Sequence, residues 1–141
     1  MSMKRFAQTL GLLCFCALFG GCSTGDQRLC EIEGTLRFRG EPMPNVQLSF
    51  EPDDLSTKST SMAMTDANGR FVMMIGSTPG VFKGKNKVIC DDPLAAMGSK
   101  TPVPANVESG YRSLCAKYGY GKSQHELTIE KSNKNLALDL K

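Results

Sequence analysis

Residues 30–52 read CEIEGTLRFRGEPMPNVQLSFEP, and the alternation in this stretch decides the fold class. Cys30, Ile32, Leu36 and Phe38 fall on one face of an extended chain, and Glu31, Glu33, Thr35, Arg37 and Arg39 fall on the other. That period of two is what a half-buried strand requires. Val46, Leu48 and Phe50 alternate in the same way with Gln47, Ser49 and Glu51. Between the two runs, Gly40, Pro42 and Pro44 supply the permissive and fixed dihedrals of a chain reversal, so the stretch predicts two amphipathic strands folded back on each other.

The same grammar continues downstream. Residues 53–61, DDLSTKSTS, read as an exposed connection before a strand at Met62–Thr65. Asp66 to Arg70 predict a hairpin turn, with Asn68 and Gly69 able to take positive φ, and Phe71–Ile75 form its return strand. Register is open: a two-residue turn sets Met64 opposite Met73, whereas a bulge at Gly69 shifts the partners by one. A strand at Val88–Cys90 follows. Residues 91–124, rich in proline, glycine and tyrosine, read as a long irregular loop with a short helix around Tyr111–Tyr118. His125–Glu130 and Leu136–Lys141 are the last two alternating strands, separated by a turn at Ser132–Asn135. Seven short strands without a convincing amphipathic helix predict an all-β, seven-stranded antiparallel Greek-key sandwich, with a small closed barrel as the alternative.

The first residues carry an address rather than a fold. Lys4 and Arg5 precede an uncharged run from Phe6 to Phe19 that ends in Gly20, Gly21 and Cys22, the pattern of a secretory signal over residues 1–21. The run is shorter than the roughly 20 residues a spanning helix needs. LFGGC, residues 18–22, resembles a bacterial lipobox, which implies a thioether-linked lipid on Cys22 after export. Ser23 after the cysteine implies sorting to the outer membrane. Residues 22–28 are then a lipidated tether, and 29–141 the sandwich domain. Without residues 1–21 the chain keeps 15 basic and 14 acidic residues, and it has no basic stripe of the kind that displaces counterions from nucleic acid.

GTLRFRGEPMPNVQLSFEP (residues 34–52), TDANGRF (65–71), GKNKV (84–88) and NLALDL (135–140) together resemble the small bacterial lipoproteins that carry a carboxypeptidase-regulatory-like, transthyretin-like domain. The resemblance implies a seven-stranded sandwich that serves as a binding, structural or accessory module, with no assigned activity. Transthyretin-like hydrolases use more than one histidine and a C-terminal Tyr-Arg-Gly-Ser, whereas here His125 stands alone. Intradiol dioxygenases hold iron with two tyrosines and two histidines, a set that one histidine cannot complete.

The residues themselves offer few constellations. Of the cysteines left after export and lipidation, Cys30, Cys90 and Cys115, the pair Cys90–Cys115 is the expected disulfide. No CxxC spacing occurs and the chain has one histidine, so a metal cage is not expected, and no cofactor is expected either. Asp66 and Asn68 suggest turn chemistry rather than a calcium loop, which would end on a glutamate. Tyr111, Tyr118 and Tyr120 with Arg112 read either as a contact patch for a protein or glycan or as the loop's own small core. The favoured reading is a non-enzymatic envelope lipoprotein bound to the membrane through its lipid. The alternative is an envelope enzyme or soft-metal protein that uses the 91–124 loop with His125, or Met62, Met64, Met73 and Met74.

Overall fold

The computed structural model describes residues 28–54, 56 and 59–141; the expected signal and Cys22 lie outside them. In chain order the strands are β1 (Leu29–Cys30), β2 (Ile32–Phe38), β3 (Glu41–Pro42), β4 (Gln47–Pro52), β5 (Ser61–Met64), β6 (Arg70–Val72), β7 (Met74–Ile75), β8 (Thr78–Pro79), β9 (Val81–Phe82) and β10 (Gly84–Asp91). Helix α1 (Ala105–Tyr118), β11 (Glu126–Ile129) and β12 (Asn133–Leu140) complete the chain. One sheet runs β11-β10-β4-β5-β7-β8 and the other β12-β2-β3, with β6 also on β2. β1 and β9 pair separately.

The architecture is an all-β sandwich. Each of the seven expected strands has a counterpart, and the higher count comes from short segments and from runs that change sheet. The alternation holds: Cys30 of β1, Ile32, Leu36 and Phe38 of β2, Val46 just ahead of β4, and Leu48 and Phe50 of β4 are buried in one core. Each large apolar side chain removed from water in this way contributes roughly 1.5–3 kcal/mol.

Pairing differs from the sequence expectation at three places. β2 and β4 do not fold back on each other but lie in opposite sheets, because the Arg39–Gly40 turn returns only as far as β3 and the chain then crosses. Thr65 secures that crossing: its buried hydroxyl donates to the Met43 carbonyl at 2.7 Å and accepts from the Val46 N–H at 2.8 Å. The second correction concerns the 66–70 turn, which joins strands of different sheets. β6 pairs with β2 and β7 returns to β5, placing Met74 opposite Met62 rather than Met64 opposite Met73. Asp66 holds this turn by accepting the Asn68 and Arg70 N–H groups at 2.8 and 2.9 Å. Third, β2 and β12 run parallel, whereas every other ladder among the described residues is antiparallel. The last two strands are likewise split, β11 onto β10 and β12 onto β2.

The 91–124 segment is more regular than expected, since it holds the 14-residue helix α1. Val107, Tyr111, Leu114 and Tyr118 recur at helical spacing and are its buried stripe. The helix packs where β2, β10 and β12 finish. Gly110 lies on the side of α1 that faces the core, where a Cβ would make ordinary contact with Met43 Cε at 3.5 Å and Phe38 Cδ1 at 3.9 Å.

Gly40 and Gly69 both take positive φ, but only Gly69 is enclosed, since a Cβ there would sit 2.6 Å from the Leu36 carbonyl oxygen. Gly40→Ala should therefore cost about 1 kcal/mol of unfolding free energy and Gly69→Ala about 3 kcal/mol or more. Urea titration of the two variants checks the difference; equal costs would contradict the enclosed geometry.

Candidate functional site

The four residues expected to form a contact patch separate in the structure. Tyr111 and Tyr118 are core residues. The Tyr111 hydroxyl donates to the Asn45 carbonyl at 3.0 Å, and that of Tyr118 donates to the Lys141 carbonyl at 2.7 Å. Phe38 meets Tyr118 edge-on at 6.3 Å between ring centroids. The loop's aromatics are thus mostly its own small core, and only Tyr120, 76% exposed, faces solvent.

Arg112 is the inner part of a polar clasp. Its guanidinium pairs with Asp92 and donates to the Thr101 carbonyl at 3.0 Å, while Asp92 also accepts the Leu94 and Thr101 N–H groups, each at 3.1 Å, and the Thr101 hydroxyl. Burial pushes the Asp92 carboxyl up, but these hydrogen bonds and the Arg112 charge outweigh it and hold the group below the usual carboxylate range. The clasp ties residues 92–101 to α1. Because the folded state lowers this pKa, the associated stability is complete above the unfolded value of about 4 and disappears as pH falls through the folded one. Asp92→Asn should cost about 2 kcal/mol at pH 7. In urea titrations its deficit relative to the parent should shrink below about pH 4; a deficit independent of pH would exclude the ionised clasp.

Cys90 and Cys115, expected as a disulfide, are free thiols in the structure, as is Cys30. Burial pushes the Cys90 thiol up, with smaller contributions from Cys115 and Asp91; Cys115 is pushed up to about 12, first by burial and then by Asp92 and Asp91. Both therefore stay protonated at neutral pH, poor nucleophiles and poor partners for exchange.

His125 precedes β11 instead of lying within it. Its ring meets Tyr118 edge-on at 6.1 Å, and its carbonyl accepts the Val88 N–H at 2.9 Å. Among the described residues, no three His, Cys, Asp or Glu side chains gather as a metal-binding group.

The arrangement that the sequence did not reveal lies on the outer face of the smaller sheet. A concavity of about 320 Å³ has Thr35 and Ala137 in its floor and Arg37, Arg70, Lys134 and Asp139 around it. Register explains the grouping, since Thr35 stands between Arg70 on β6 and Ala137 on β12, with Arg37 and Asp139 paired one step along. Small floor residues leave room between walls that carry three cations, Arg37, Arg70 and Lys134, and one carboxylate, Asp139. Lys134 is engaged by Glu31 at 2.9 Å, but neither Arg37 nor Arg70 has an ion pair among the described residues. Two guanidiniums beside a shallow floor suit an oxyanion, because each offers a planar fork of donors. Arg37 and Arg70 are far apart in sequence, and only the β2–β6 pairing brings them together.

No family model matches the chain, and no curated protein or solved structure is similar to it at a significant level. Fold and site define a β-sandwich closed at one end by a helix, with an arginine-flanked groove on one sheet.

Sulfate titrated into the protein should shift the Arg37 and Arg70 side-chain N–H resonances and leave that of the clasped Arg112 in place. Arg37→Gln with Arg70→Gln should abolish the response, and a shift confined to Arg112 would refute the assignment.

Proposed function

We propose that the chain is a non-enzymatic lipoprotein of the bacterial envelope, a β-sandwich binding module held at the outer membrane through Cys22. The observation that carries this reading is the leader itself: two basic residues, an uncharged apolar run and LFGGC, followed by a short spacer before the folded domain. The likeness of residues 34–140 to carboxypeptidase-regulatory-like, transthyretin-like lipoproteins supports an accessory role. Stable attachment needs at least two acyl chains, which a processed lipoprotein cysteine provides. The tether would leave the sandwich free to meet a protein or glycan partner, and the Arg37–Arg70 groove supports a partner that carries a carboxylate, sulfate or phosphate.

The surroundings of His125 support the non-enzymatic reading. Its ring makes a T-shaped contact with Tyr118, and among the described residues no ion pair joins it to a carboxylate that would orient it as a base.

Cells grown with labelled palmitate should yield labelled protein in the outer-membrane fraction, and Cys22→Ala should abolish the label. An unlabelled parent protein, or label retained in the variant, would refute the tether.

A further inference from the structure

We propose that Met62, Met64 and Met74 form a surface site for a soft monovalent cation, Cu(I) or Ag(I), on the outer face of the larger sheet. The inference goes beyond the binding-module reading and does not depend on it. The described methionines differ in environment, with Met74 half-buried between the two extremes. Met43 and Met73 are 1% and 0% exposed and fill the core, the usual use of a flexible thioether. Met62 and Met64 are 45% and 53% exposed, so packing does not account for them.

Placement supplies what exposure alone does not. Met62 and Met64 are two residues apart on β5 and share its outer face, about 7 Å apart along the strand. Met74 on β7 is the direct cross-strand partner of Met62, which sets their Cβ atoms about 5 Å apart. Each sulfur is carried on two methylenes, a reach that lets three thioethers from such positions converge on one ion. The remaining register neighbours are uncharged: Ser49 opposite Met62, Gln47 opposite Met64 and Pro79 opposite Met74. On its other side Met64 borders a concavity shared with Glu33, Asp66 and Arg70, whose net charge is negative. Thioethers favour Cu(I) and Ag(I) over harder divalent ions because they are soft, uncharged donors.

Met97 provides an internal control, since it is 70% exposed but belongs to no such pair. The full chain, labelled at its methionine methyl groups and with its accessible thiols alkylated, should be titrated with Ag(I). The methyl resonances of Met62, Met64 and Met74 should move together and saturate at one equivalent, with Met97 unchanged. Met62→Leu and Met64→Leu, which preserve side-chain volume at exposed positions, should each weaken binding by about tenfold or more. Parallel movement of Met97, or leucine variants that keep the parent affinity, would overturn the site.

Discussion

The fold depends on β2 being hydrogen-bonded along both edges. On one side β12 runs parallel to it from Ile32 to Phe38; on the other, β6, the Gly69 carbonyl and β3 share its length. Its inner face carries Ile32, Leu36 and Phe38 into the core, and its outer face carries Thr35 and Arg37 into the groove. One strand thus fixes both the hydrophobic interior and the placement of the groove's guanidiniums, because successive side chains of an extended chain point to opposite faces.

What the sequence made legible follows from that same periodicity. The inward and outward faces of β2 and β4 were readable because alternation is local. Which strands pair was not, because pairing is decided by contacts between distant residues: the close fit of Gly34 beneath Phe71 and the β12 backbone, for instance, or the Thr65 clip across the sandwich. The Gly/Pro stretch after Phe38 signals a reversal but not whether the returning chain stays in the sheet.

Helix α1 was obscured for a different reason. Its stripe of Val107, Tyr111, Leu114 and Tyr118 is periodic, but Ser109, Gly110, Arg112 and Ser113 dilute the apolar signal between them. Tyrosine serves both buried and exposed roles, since its ring is apolar and its hydroxyl needs a partner. Here the Asn45 and Lys141 carbonyls provide those partners, and the rings become interior. The arginine groove was invisible because Arg37 and Arg70 become neighbours only through the β2–β6 ladder.

The parallel contact between β2 and β12 also bears on how the molecule is assembled. It joins segments separated by roughly a hundred residues, as in the Glu31 N–H bond to the Ser132 hydroxyl across 101 positions. Closing so large a loop costs entropy before its contacts form, which places the chain among slowly folding, high-contact-order topologies. Until residues 133–140 have been synthesised and delivered, one flank of β2 stays open, and the nascent chain remains a substrate for chaperones and for unwanted strand addition.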